Sequence, residues 1–243
     1  MLSTPRWLAL EVKYLDRARS FYESVLDLPV VREAEREVAF DVGKTELRLR
    51  APGDVPRGGL HTHYALSVPS VAYDDWYERL DERFDLVEHQ FGDTRSLYFD
   101  DPDGHCVELA GSDVDGPRGD GPDVDGFDND GPVVVGLFEV VLEVEELEPA
   151  RVFYQRLGFE PVDYGDDRRR VRMTGGDVDL ELWEPQLGLA DGRGGVHVDW
   201  GITAEDAEIA ADRVTRDALA IDEVESGFRI RDPDGHYLTL CEE

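Results

Sequence analysis

The chain has 243 residues, 56 of them acidic and 25 basic, with a formal net charge of −31. At roughly 100–200 residues per domain this length suits one large or two small domains, and an apolar fraction of 41% is enough for a core in spite of the charge. The negative surplus repels phosphate backbones and so excludes nucleic acid as the expected partner, and no run of about 18 apolar residues is present to span a membrane.

At the N-terminus, MLSTPRWLALEV meets charge before any apolar stretch of signal-peptide length, so a cytoplasmic protein is expected. Residues 7–12 alternate as a strand, and Ala18, Phe21, Tyr22, Val25 and Leu26 follow at helical spacing. Short alternating runs occupy 37–42 and 45–50. A second unit starts at His61–Val68, continues in a helix carrying Tyr73, Trp76, Tyr77 and Leu80, and ends in strands near 95–99 and 105–110. Residues 111–131, GSDVDGPRGDGPDVDGFDNDG, are almost wholly Gly, Asp and Pro and read as a hydrated linker. Their aspartates miss the register of a calcium loop. The second half repeats the strand–helix–three-strand plan twice, with its last helix expected to open at Thr203 as a cap over Asp206. Two cysteines, Cys106 and Cys241, are too few for a disulfide framework and are expected as buried free thiols.

The halves are duplicates. FDDPDGH at 99–105 returns as IRDPDGH at 230–236, Phe21-Tyr22 returns as Phe153-Tyr154, and HYALSV at 63–68 returns as HVDWGI at 197–202. Three matches in one order and nearly one offset imply a 1–112 domain, a 113–131 linker and a 132–243 domain, each of two modules.

Those residues carry two resemblances. The strand-then-FYxxVLxL segment at 8–28, its copy at 140–159 and the two DPDGH-then-strand endings resemble the vicinal oxygen chelate superfamily. That group includes glyoxalase I, fosfomycin- and bleomycin-resistance proteins and extradiol dioxygenases. The likeness covers 6–112 and 132–242, and it implies an α+β fold of four β-α-β-β-β modules forming two incomplete mixed-sheet barrels, each able to hold a divalent metal. Separately, an acid-rich chain whose only lysines are Lys13 and Lys44 resembles the proteins of extreme halophiles. Such a chain is expected to loosen at low salt, because self-repulsion is screened only at high ionic strength.

The resemblance implies ligands on the first and last strands of modules, and alternation says which residues reach the cavity. Leu8, Leu10 and Val12, like Val140, Leu142 and Val144, form the helix-facing side of first strands. The other side carries Trp7, His63, Glu139 and His197, and the last strands offer Arg48, Glu108, Glu181 and Thr239. Pairing within halves would join Trp7, Arg48, His63 and Glu108, and separately Glu139, Glu181, His197 and Thr239. Pairing between halves would join His63, Glu108, Glu139 and Glu181 in one cavity and leave Trp7, Arg48, His197 and Thr239 in an abandoned one. The second arrangement is preferred. His63, Glu108, Glu139, Glu181 and His197 are the candidate metal ligands, with Glu108 and Glu181 as candidate bases. His61 is a possible third member of a His61–His63–Glu108 set, while His105 and His236 belong to turns.

One imidazole with two or three carboxylates suits Mn, Ni, Co, Fe or Zn as a Lewis acid. The expected function is a divalent-metal-dependent lyase or isomerase of glyoxalase type, acting on a small substrate with adjacent oxygens. The alternatives are an extradiol-type ring-cleaving dioxygenase and a metal-free small-molecule-binding protein like the bleomycin-resistance proteins. A monomer or homodimer is expected.

Overall fold

The computed structural model describes residues 1–52, 61–112, 133–165, 169–185 and 198–242. The predicted linker and His197 lie outside the described residues, as does the side chain of His61.

Four modules share one element order. The first is β1 (Leu2–Glu11), α1 (Leu15–Val25), β2 (Val30–Ala34), β3 (Glu37–Val42) and β4 (Thr45–Arg50). The second is β5 (His61–Pro69), α2 (Tyr73–Asp81), β6 (Val87–Phe91), β7 (Thr94–Asp100) and β8 (Cys106–Ser112). The third is β9 (Gly136–Glu143), α3 (Leu147–Leu157), β10 (Glu160–Tyr164), β11 (Arg170–Gly175) and β12 (Val178–Trp183). The fourth is β13 (Val198–Ala204), α4 (Ala207–Asp212), β14 (Ala220–Val224), β15 (Gly227–Arg231) and β16 (Tyr237–Cys241).

Modules pair across the halves. One eight-stranded sheet runs β14-β15-β16-β13-β1-β4-β3-β2 and joins modules one and four; the other runs β10-β11-β12-β9-β5-β8-β7-β6 and joins modules two and three. The central seams are antiparallel, β1 on β13 and β5 on β9, whereas each first strand lies parallel to the last strand of its own module. Alternation decides what each sheet buries: Leu8, Leu10, Val12, Val140, Leu142 and Val144 all sit in the core on the helix side. The helices complete that core with matching residues, Ala18, Phe21, Tyr22 and Val25 in α1 and Ala150, Phe153, Tyr154 and Leu157 in α3.

The repeated Phe-Tyr and Asp-Pro-Asp-Gly-His segments meet in space. Tyr22 donates its hydroxyl to Asp101 at 3.0 Å, and the same carboxylate accepts the amides of Asp103 and His105. Tyr154 donates to Asp232 at 2.7 Å in the same way. His105 Nε2 lies 2.9 Å from the Glu11 carbonyl and His236 Nε2 lies 2.8 Å from that of Glu143, so both histidines tie a turn to the end of a first strand. These bonds join modules within a half, while the sheets join modules between halves.

Two further junctions clamp one sheet to the other. Gly43, at φ +66°, places its α-carbon so that a Cβ would overlap the Val135 carbonyl; Gly176, at φ +63°, does the same against Ser3. Asp177 donates its amide to the Ser3 carbonyl at 2.8 Å.

Two local expectations need correction. Helix α4 opens at Ala207 with Asp206 in the capping position and without a side-chain cap, because Thr203 remains in the ladder opposite Cys241. Cys106 is half-buried, so only Cys241 is a fully buried thiol; neither is in a disulfide. Among the described residues no helix is long and apolar enough to cross a membrane. The charge of −31 predicts a thermal midpoint that climbs with salt. Raising KCl from about 0.1 to 2 M should add about 3 kcal/mol, roughly 6–12 °C for a chain of this size, measured by scanning calorimetry. A flat response would contradict the self-repulsion argument.

Candidate metal centre

The sheet joining modules two and three builds its site from two rows of side chains. In the first row Ala65 of β5 stands opposite Glu108 of β8 on one side and Glu139 of β9 on the other. Neighbouring strands lie about 5 Å apart, so the two glutamates meet only by reaching over the small Ala65 side chain. In the second row Val141 stands between His63 and Glu181 of β12.

His63, Glu108 and Glu139 converge. Each offers a ligand atom, all within 4.8 Å of one another, and all three residues are buried. His63 Nε2 lies 3.2 Å from Glu108 Oε2 and 3.9 Å from Glu139 Oε2. Tyr98 and Trp183 meet the His63 ring edge-to-face, with centroids at 5.3 and 6.0 Å, which fixes its plane.

Glu181 points to the same face but is held otherwise. Arg170 donates to its Oε1 at 2.8 Å, Arg172 to the same oxygen at 3.2 Å, and Trp183 Nε1 to Oε2 at 2.6 Å. Arg172 also reaches Glu139 Oε1 at 2.8 Å, so one guanidinium bridges the two carboxylates of the third module. Sequence reasoning missed Arg170 and Arg172, which lie on the neighbouring strand β11. Their signal was present, since basic residues on the cavity-facing parity of a strand beside acidic ones imply pairing.

The electrostatics are those of crowded acids. Burial pushes the Glu139 carboxyl well up from its ordinary range, and the charges of Glu181 and Glu108 push it further, against the opposing pull of Arg172. Burial also acts upward on Glu108, but the hydrogen bond and charge of His63, together with the hydroxyls of Ser96 and Tyr98, hold that carboxyl below the usual range. Burial, and then the Glu108 charge, raise the Tyr98 hydroxyl far above its ordinary value.

The residues present fit a divalent cation. Glu108 and Glu139 are buried side by side, with His63 and Arg172 as charged neighbours, and crowded buried carboxylates are costly unless positive charge meets them. One imidazole nitrogen with carboxylate oxygens is the donor set of a borderline-to-hard metal.

The sheet joining modules one and four repeats both rows with other residues. Arg48–Ala9–Asp199 replaces Glu108–Ala65–Glu139, and Thr239–Gly201–Trp7 replaces Glu181–Val141–His63. The register therefore sets Asp199, two residues beyond His197, at the first-strand position of module four. Alignment of the two histidines in HYALSV and HVDWGI concealed this, because residues 197, 199 and 201 share one parity.

Comparison with known proteins agrees with this architecture. The profile of the Glyoxalase/Bleomycin resistance protein/Dioxygenase superfamily matches residues 5–109. Metallothiol transferase FosB of Shouchella clausii is 33% identical over 114 residues, which cover 42% of this chain and 75% of that protein. A candidate dioxygenase from Bacillus subtilis superposes with a TM-score of 0.74 at 18% identity, covering 99% of this chain and 85% of its own. Glyoxalase I from Zea mays superposes with a TM-score of 0.62 at 18% identity, covering 98% and 92%. The two structural likenesses are likenesses of fold; with the matched profile and the FosB identity, they show that the chain belongs to the glyoxalase/bleomycin resistance/dioxygenase superfamily.

Proposed function

We propose that the chain is a divalent-metal-dependent lyase or isomerase of glyoxalase type, acting on a small substrate with two adjacent oxygens. The observation that carries this reading is the buried convergence of His63, Glu108 and Glu139, whose ligand atoms lie within 4.8 Å of one another. Those three residues would hold Mn, Ni, Co, Fe or Zn, which when bound supplies Lewis-acid stabilisation of an oxyanion. Glu181 is the base that takes a proton from the substrate carbon. It sits beside the three ligands, and Arg170 and Trp183 fix the direction of its lone pairs. Glu108 is the second candidate for that role. Arg172 is one-third exposed and faces the acids, so it is placed to hold an anionic oxygen of the substrate. A second reading, thiol transfer, is favoured by the name of the FosB relatives at about one-third identity.

The test is an assay of metal-reconstituted protein in molar KCl against three substrate sets. The proposal expects metal-dependent isomerisation of the hemithioacetal of a 2-oxoaldehyde and a small thiol. It also expects a loss of about 10²–10⁴-fold in kcat for Glu181→Gln with metal content unchanged. Thiol consumption onto an added electrophile without isomerisation would replace it with the transferase reading. Oxygen uptake with a catechol would replace it with a dioxygenase, and failure to retain any of the five metals would leave a binding protein.

A further inference from the structure

The counterpart of the metal centre has the opposite electrostatic character. Its two rows open on a cleft of about 940 Å³. Among the described residues that line it, five are cationic (Arg6, Lys44, Arg48, Arg50 and Arg229), against the carboxylates of Glu46 and Asp199. That gathering runs against a composition with more than two acids for every base.

Part of this charge is internally balanced. Arg48 Nε lies 2.7 Å from Glu46, Arg50 reaches Asp199 and Glu37 at 2.6 Å each, and Arg229 reaches Asp222 at 3.2 Å. Arg6 and Lys44 have no ion-pair partner among the described residues. Two lining donors are buried with no acceptor, Trp7 Nε1 and Arg229 Nε, and one lining acceptor is buried with no donor, Asp199 Oδ1. Trp7 is only 7% exposed. Its ring rests on Gly201, where a Cβ would come within 2.6 Å of it, and the Arg48 guanidinium lies 4.3 Å from its centroid. A buried donor without an acceptor is costly, so two lining one cleft mark what the cleft lacks. It lacks acceptor oxygens, together with one hydroxyl for Asp199.

We propose that this cleft is a second ligand site, and that it binds a small hydroxylated oxyanion, a hydroxycarboxylate or a phosphate ester. The oxyanion supplies acceptors for Trp7 Nε1 and Arg229 Nε in the field of Arg6 and Lys44, and a ligand hydroxyl donates to Asp199 Oδ1. Loss of the metal-ligating set is then a conversion of the duplicated site to another ligand.

Trp7 gives a direct readout. The chain has four tryptophans, so ¹⁵N-tryptophan labelling yields four indole N–H signals, and Trp7→Phe identifies one of them. Glycolate and inorganic phosphate are titrated separately into the full chain at constant ionic strength. The expected result is a saturable shift of the Trp7 signal by at least one of them. A response to glycolate alone assigns a hydroxycarboxylate, and a response to phosphate alone assigns a phosphate ester. Arg229→Gln and Arg6→Gln should each raise the midpoint at least tenfold while the other three indole signals report an intact fold. His63→Ala should leave it unchanged. No saturable shift with either probe, or the same midpoint in both arginine variants, overturns the proposal.

Discussion

Replacing Glu139 by Gln should empty the metal centre and at the same time stabilise the metal-free protein. The first effect follows from geometry: Glu139 is one of three ligands, and its amide isostere is a poor donor to a divalent cation. Metal content by mass spectrometry should fall from about one ion per chain to less than about a tenth. The second effect follows from the raised pKa of this carboxyl. A group whose folded pKa lies above its unfolded value contributes stability that is present below the unfolded pKa and is lost as pH rises through the folded one. At neutral pH the wild-type residue therefore costs stability, and the Gln variant does not. Denaturant midpoints of the two metal-free proteins should converge below about pH 4 and diverge above it, with Gln the more stable. A variant that keeps its metal, or is less stable without it at pH 8, would refute this account of Glu139.

Gly176→Ala should cost more than twice as much stability as Gly92→Ala. Both glycines have φ near +60°, a region that charges an L-residue about 1 kcal/mol. A Cβ at Gly92 meets nothing within 4 Å, whereas at Gly176 it would overlap the backbone of Ser3. The excess measures the clamp between the sheets, and urea unfolding should show about 3 kcal/mol or more for Gly176 against about 1 for Gly92. Equal costs would mean that the Ser3 strand end moves away freely.

What could be read from the sequence was what the core dictates. Strands β3 and β4 fall on the predicted runs, and the parity of Leu8, Val140 and Val107 placed His63, Glu108, Glu139 and Glu181 on one side of their strands. The outer strands β2 and β6 were invisible because nearly every residue in them is exposed, so no alternation marks them. Parity could not fix register either, which is why Asp199 was hidden behind His197. Nor could it show that Arg172 from β11 would bridge Glu139 and Glu181, since that depends on which strand lies alongside.

Because each sheet is stitched from both ends of the chain, biosynthesis meets an ordering problem. When residues up to 112 have left the ribosome, β1 and β5 present unpaired edges whose partners β13 and β9 are not yet made. An open edge of that kind will accept any strand of the right pattern, including the same strand on another nascent copy. A chain arrested at that point would be held together as a reciprocally exchanged pair. Conversely, a complete chain nicked between 112 and 133 has both seams already formed, so its two fragments should stay associated and keep His63 beside Glu139.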